Sequence, residues 1–164
     1  MAELPLLRRA VADVPTGAVA RRMVSAVRPH GARFRISVAG LDGADLGRID
    51  VGFADTARGV ATSGWGGRSF LLRIADAVTV LARSAAEADV AATMICNAVD
   101  LPGHVAVGRA PADSLQPESD LGVRLVTVSV GALSLGEVAE ALARGAAVAE
   151  DLCGRGLAVW LRCF

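Results

Sequence analysis

The same four-residue signal occurs twice in this chain, and it fixes where two helices begin. Ser84 is followed three residues later by Glu87, and Ser134 is followed three residues later by Glu137. In such a capping box the serine side chain accepts a hydrogen bond from an amide of the first helical turn, while the glutamate reaches back to the serine amide. The rest of the fold must therefore be arranged around two helices that start at these serines.

The ends of both helices can also be predicted. We expect the first helix to run to about Val99, because the Leu-Pro-Gly sequence at residues 101–103 cannot continue it. The second helix is predicted to run to about Cys153, with Gly154 as its left-handed stop. Residues 102–122 are interpreted as a loop-rich stretch between the first helix and the strand that follows.

Short strands are predicted before, between and after the two helices, because apolar and polar residues alternate there or because β-branched residues cluster. We expect strands at residues 33–38, 48–53, 59–62, 69–74, 76–82, 124–130 and 157–163. The order is therefore strands, helix, strand, helix, strand. That order favours an α+β fold with an antiparallel or mixed sheet and helices on one face.

The length of 164 residues fits one domain. We divide it into an N-terminal helical segment, residues 1–32, and an α+β domain, residues 33–164. Within the first part we predict a short helix over residues 1–13 and a second helix from Thr16 to about Val27.

Composition excludes several function classes. The 17 basic and 17 acidic residues give no net charge, which argues against a nucleic-acid partner. Every basic residue is arginine, so lysine Schiff bases and a Walker lysine are excluded. No run reaches the ~18 apolar residues of a membrane helix. The three cysteines match no metal-binding spacing. We therefore expect a soluble cytoplasmic protein with reduced thiols and no membrane partner.

The first candidate site lies on the helix after Ser84. Asp89, Thr93 and Asn97 are spaced four residues apart, so they form one stripe on an otherwise apolar helix. A carboxylate and a hydroxyl on adjacent turns are hard oxygen donors suited to Mg²⁺. Two alternatives stay open: Asp89 pairs with an arginine while Thr93 bonds a carbonyl one turn earlier, or the stripe is simply the solvent face of the helix.

The second candidate is the glycine-rich run Thr-Ser-Gly-Trp-Gly-Gly-Arg at residues 62–68. Its uncovered amides and two hydroxyls could hold a phosphate. The alternative is a flexible hairpin in which Trp65 folds back on the sheet. Asp76, with Thr79, is a third candidate, because a carboxylate at the start of a strand can be functional. The alternative is that Asp76 is simply a turn residue before the strand. His104 is interpreted as a lone surface histidine.

Three segments resemble the C-terminal half of the ApbE-type flavin transferases, and a wider set is similar to a branch of that superfamily, uncharacterised protein family 0280. The likeness covers roughly residues 33–164. The segments that carry it are Gly-Val-Ala-Thr-Ser-Gly at 59–64, Ala-Asp-Ala-Val-Thr-Val at 75–80, residues 84–93, residues 97–104 and Ser-Asp-Leu-Gly at 119–122.

The resemblance implies an ApbE-like, T-fold-like domain that binds FAD or FMN with Mg²⁺. ApbE enzymes move FMN from FAD onto a threonine or serine of a target protein, breaking a pyrophosphate bond. The implied metal ligands are Asp89 and Thr93. The implied cofactor-binding residues are Thr62, Ser63, Gly64, Asp76 and Thr79.

Two departures from the ApbE pattern shape the alternative. No histidine occurs between Trp65 and Ala75, where the flavin transferases carry one. The part of the chain before Arg33 is also shorter than the N-terminal half that is usual in uncharacterised protein family 0280. The leading expectation is thus an Mg²⁺-dependent flavin-nucleotide binding or flavin-transfer relative. The alternative is a non-catalytic remnant that acts as a binding or oligomerisation module, including a homo-oligomer in which a partner strand completes the sheet.

Overall fold

The described part of the chain alternates short strands with three helices. The computed structural model describes residues 24–25, 33–39, 45–52, 54–65, 73–157 and 160–163. In chain order these residues form β1 (Val24–Ser25), β2 (Arg33–Ala39), β3 (Asp45–Gly52), β4 (Gly59–Ser63), β5 (Val78–Ala82), α1 (Ala85–Ala98), β6 (Val107–Pro111), α2 (Ala112–Leu115), β7 (Leu125–Val130), α3 (Leu135–Gly154) and β8 (Trp160–Cys163). The predicted α+β class is confirmed.

The central sheet has four antiparallel strands in the order β1-β4-β5-β8. Every residue of β5 is buried, as its uncharged Val-Thr-Val-Leu-Ala sequence allows. The hairpins β2–β3 and β6–β7 form two further antiparallel pairs. Because strand side chains alternate between faces, Val60 and Thr62 of β4 share one face, while Ala61 and Ser63 share the other.

Helices cover one face of the central sheet. Ala61, Val78 and Val80 pack there with the buried side of α1, and α3 packs against α1. A side chain at Gly145 of α3 would overlap Val99, so glycine is needed for the close approach of the two helices. On the opposite face Val60 and Leu81 pack with β3 and the turn after it through Ile49, Val51 and Ala57.

Local signals predicted the helices well. Both predicted serines are the N-caps of α1 and α3, and α3 has the full reciprocal capping box. At α1 the serine accepts from the Glu87 amide. The strand β6 and the single turn α2 were missed inside the predicted loop. The reason is that β6 reads Val-Gly-Arg-Ala-Pro, a sequence with little strand propensity, and it forms by pairing with β7.

Three sequence predictions are wrong where the structure describes them. Val24 and Ser25 are a strand paired with β4, not the end of a helix, because pairing at the edge of the sheet outweighs helix propensity. Arg73 and Ile74 are not in a strand. The left-handed glycine after α3 is Gly156, with φ of 69°, whereas Gly154 is still helical. The predicted helices over residues 1–23, and residues 69–72, lie outside the described residues.

None of the helices in the described ranges combines the length and the hydropathy that a membrane-spanning segment needs.

Candidate functional site

The five predicted cofactor residues meet at one end of the β4–β5 pair. Thr62 lies directly opposite Thr79, and their hydroxyl oxygens are 2.8 Å apart. The Trp65 amide then donates to the Ala75 carbonyl at 2.9 Å, which brings the two chain segments together beyond the strands. A side chain at Gly64 would overlap the Asp76 carbonyl oxygen, so glycine permits this close packing.

These residues do not share one surface. Thr62 and Thr79 lie on the β3 side of the sheet, and Ser63 lies on the α1 side. Ser63, Gly64 and Thr79 are buried, whereas Thr62 and Asp76 are half-buried. Three of the five therefore support the strand ends from inside, and the two half-buried residues remain able to meet a ligand.

Arg73 is a fully buried arginine that sequence reasoning missed. Its Nη1 donates to the Ser63 hydroxyl at 2.9 Å. The next residue, Ile74, donates its amide to the Val99 carbonyl at 3.1 Å, so Arg73 enters the core beside the C-terminus of α1. The signal was an arginine inside the apolar run at residues 70–74.

Trp65 and Asp76 form a second, more open pair. The indole Nε1 of Trp65 donates to Asp76 Oδ1 at 3.1 Å, and both side chains are half-buried. Within the described residues the second oxygen, Oδ2, has no hydrogen-bond partner and is not sealed from solvent. Burial raises the pKa of the Asp76 carboxyl, and the indole hydrogen bond offsets part of that rise. Perturbed carboxylates of this kind are enriched at functional sites.

Asp89 and Thr93 lie one turn apart on a half-buried flank of α1. In the described part of the chain Asp89 has no ion pair and Thr93 bonds no carbonyl, so the first alternative to a metal site is not what the structure has. One turn further, the enclosed Oδ1 of Asn97 has no hydrogen-bond partner among the residues that the structure describes. Among the described residues no three His, Cys, Asp or Glu side chains converge to hold a metal. The pair supplies two oxygen donors.

His104 is not the lone surface histidine that we predicted. Its Nε2 lies 2.7 Å from Glu137 Oε1, and its Nδ1 accepts from the Ala106 amide at 3.2 Å, which assigns the ring proton to Nε2. Hydrogen bonds from the backbone and side chain of Ser134, and from His104, lower the pKa of Glu137 to about 2. Because both ring nitrogens are engaged, His104 fastens the loop after α1 to the start of α3.

One comparison with known proteins is informative. The model of the family described as "AbpE bacteria" matches residues 31–163. The chain belongs to this family. No curated protein and no solved structure matches the chain.

The family match corrects one expectation. The resemblance to the ApbE-type flavin transferases, and to uncharacterised protein family 0280, is wrong, because the matching model is that of the AbpE bacteria family. The short motifs at residues 59–64 and 75–80 are strand and turn sequences whose residues are fixed by packing, as Gly64 and Thr79 show. Such motifs recur without shared chemistry.

Proposed function

We propose that this protein binds a nucleotide at the Trp65–Asp76 end of the β4–β5 pair. The observation that carries the proposal is the half-buried Asp76 carboxylate, which keeps one oxygen available beside a half-buried indole ring. An aromatic ring can stack on a planar base, and a carboxylate can accept from its polar edge. A flavin nucleotide is the first ligand to test, since its ring is both large and planar.

Asp89 and Thr93 are proposed as the protein ligands of a Mg²⁺ ion. They lie on α1, which begins beside the Gly59 end of β4, so the ion would meet the phosphates of the nucleotide rather than its ring. Magnesium in proteins is often held by one or two carboxylates, with phosphates and water completing six positions. Within the described ranges neither the Asp89 carboxylate nor the Thr93 hydroxyl has a hydrogen-bond or ion-pair partner, so both oxygens are available for the few positions around Mg²⁺ that a protein supplies. The cation is therefore expected to bind only together with phosphate, not to the protein alone.

Binding, rather than group transfer, is what the described side chains support. His104 has both ring nitrogens engaged, and Ser63 is enclosed with Arg73, so neither is arranged as a base or a nucleophile. We also propose a cytoplasmic location, which agrees with the free thiol of the exposed Cys153.

The test is a titration of FAD into the purified protein with and without Mg²⁺, followed by flavin fluorescence. We expect saturable quenching that needs Mg²⁺ and weakens at least about 10-fold in Asp89→Ala. Asp120→Ala is the matched control, because Asp120 is an exposed carboxylate after α2. ATP is tested in the same assay by tryptophan emission. If the protein responds neither to FAD nor to ATP, the nucleotide proposal is wrong.

A second candidate function, an oligomerisation module, has its own observation. The outer side of α1 presents Ala86, Val90 and Met94 at intervals of four residues, with Val90 59% and Met94 48% exposed. Exposed apolar side chains in one row are typical of a surface covered by another protein. Sedimentation velocity of the wild type and of Val90→Glu/Met94→Glu tests it, since a monomer in both samples contradicts oligomerisation.

A further inference from the structure

We propose that Asp76 selects the ligand by accepting a hydrogen bond from an N–H group on its ring, so that the ligand class is a nucleotide whose base has a donor edge. Adenine, with its amino group, and the flavin ring, with its imide N–H, share this chemistry. The inference rests on the proposed function and deepens it, because it names the group that the site recognises.

The two oxygens of the Asp76 carboxylate have different surroundings. Oδ1 is occupied by the indole N–H of Trp65 at 3.1 Å, and this bond orients the carboxylate. Oδ2 remains as an acceptor with no hydrogen-bond partner in the described residues. If Asp76 served only to hold the indole, one oxygen would suffice and the second would have no role. A carboxylate offers acceptors only, so it favours a donor in the ligand.

The carboxylate is held in place before any ligand arrives. The backbone amide of Trp65 donates to the Ala75 carbonyl, and Gly64 packs directly on the Asp76 carbonyl. These contacts fix both ends of the Trp65–Asp76 pair relative to the strand ends. An acceptor positioned in advance loses little conformational entropy on binding, which makes discrimination by a single hydrogen bond effective.

Partial burial makes a mismatch costly. A half-buried carboxylate is less well hydrated than an exposed one, as the raised pKa of Asp76 indicates. A ligand that places a methyl group or an acceptor against Oδ2 would desolvate that oxygen without replacing its hydrogen bonds. A site that is built to hydrogen-bond a polar group strongly rejects analogues that lack this group. Because Asp76 retains contact with water, we expect a discrimination of about 10-fold to 100-fold rather than the largest known values.

The experiment compares two ligands with their donor-blocked analogues, using the whole 164-residue chain. FMN is compared with N3-methyl-FMN, and ATP is compared with N6,N6-dimethyl-ATP, all with Mg²⁺. Trp160→Phe is used as the background, because the chain has two tryptophans and Trp65 emission then reports binding alone. We expect at least one unmodified ligand to bind at least about 10-fold more tightly than its methylated analogue.

Asp76→Asn is the decisive variant. Asparagine keeps an oxygen that can accept from the indole, but it replaces Oδ2 with an NH₂ donor. We expect it to weaken the unmodified ligand at least about 10-fold and to abolish the preference over the methylated analogue. Asp120→Asn, the same chemical change at an exposed position, should leave both affinities unaltered. Near-ultraviolet circular dichroism confirms that the Asp76→Asn protein is folded.

The outcomes separate the inference from the proposed function. If FMN or ATP binds but no unmodified ligand is preferred over its methylated analogue, or if Asp76→Asn keeps the wild-type preference, Asp76 does not recognise the ring N–H group and only the inference fails. If neither FMN nor ATP binds the wild type, the proposed function fails, and the inference fails with it.

Discussion

Two polar pairs lie at the same end of the β4–β5 strands, and they differ in what surrounds them. Arg73 and Ser63 lie on the side of α1 and are enclosed completely. Trp65 and Asp76 lie at the end of the strands and remain half-exposed. The first pair has no surface left for a ligand, whereas the second keeps a carboxylate oxygen and an aromatic ring within reach.

The comparison shows that a sequence motif can be divided between support and recognition. Residues 62–65 are consecutive, yet Ser63 turns toward the core and Trp65 toward the edge of the fold. Buried polar groups must be hydrogen-bonded and therefore act on stability. Half-exposed groups cost the fold little and can serve binding. Substitutions in or next to the two pairs test whether the enclosed pair acts on stability and the half-exposed pair on binding.

The largest effect is expected for Arg73→Ala. The substitution leaves a cavity next to α1 and removes the donor to the buried Ser63 hydroxyl, so the free energy of unfolding should fall by about 3 kcal/mol or more. Urea denaturation monitored by circular dichroism measures it. Arg155→Ala is the control, because the Arg155 side chain is 66% exposed in its pair with Asp151 and should cost less than about 0.5 kcal/mol. Equal losses would mean that Arg73 is not a core residue.

The next effect is expected for Gly64→Ala, which lies between the two pairs. A methyl group there would overlap the Asp76 carbonyl oxygen and push the strand ends apart, at a cost of about 2 kcal/mol. Gly154→Ala is the matched control: nothing lies within 4 Å of a side chain at that position, and helix propensity should stabilise the protein by about 0.5 kcal/mol. A Gly64→Ala protein as stable as wild type would contradict the close packing of Trp65 and Asp76.

A smaller, asymmetric effect is expected for the two hydroxyls on the β3 side. Thr62→Val leaves the fully buried Thr79 hydroxyl without its partner, so it should cost about 1–2 kcal/mol. Thr79→Val should cost about 0.5 kcal/mol, because the half-buried Thr62 hydroxyl can bond water instead. The double variant should cost less than the sum of the two. If Thr79→Val is the more damaging, the assignment of the enclosed hydroxyl is wrong.

Part of this arrangement could be predicted from the sequence. The helix starts at Ser84 and Ser134 depend on residues three positions away, and both were predicted correctly. That Thr62 and Ser63 lie on opposite faces follows from the period of two in a strand. Residues 62–64 and 76–79 lie close together because β4 and β5 are consecutive strands that pair with each other, a pairing that the sequence analysis did not predict.

The rest depended on contacts between distant segments. His104 and Glu137 are 33 positions apart, so no local pattern could pair them. Arg73 is buried because β4 and the end of α1 close around it, which composition does not reveal. The strand β6 has weak propensity and exists through its pairing with β7. The motif resemblance failed for a related reason: short segments fixed by packing do not identify a family's chemistry.

The smallest effect on stability is expected for Asp76→Asn, and it should be a gain. Because burial raises the pKa of Asp76, the folded protein favours the protonated carboxyl. The wild type is therefore most stable, relative to the variant, below the ordinary Asp pKa of 3.8, and it loses that stability as the pH rises through the raised value. Asparagine removes this dependence and retains an acceptor for the indole. At about pH 7 the variant should be slightly more stable than wild type, and at about pH 3 the two should be equal.

Urea denaturation of both proteins at the two pH values measures the gain, and the ligand titrations supply the other half of the test. A variant that is more stable at neutral pH yet binds more weakly shows that the carboxylate is retained for recognition at some cost to the fold. A variant that is less stable at neutral pH would mean that the Trp65 hydrogen bond to a charged acceptor outweighs the burial of Asp76. The half-exposed pair would then be a structural contact like Arg73 and Ser63, and the contrast between the two pairs would disappear.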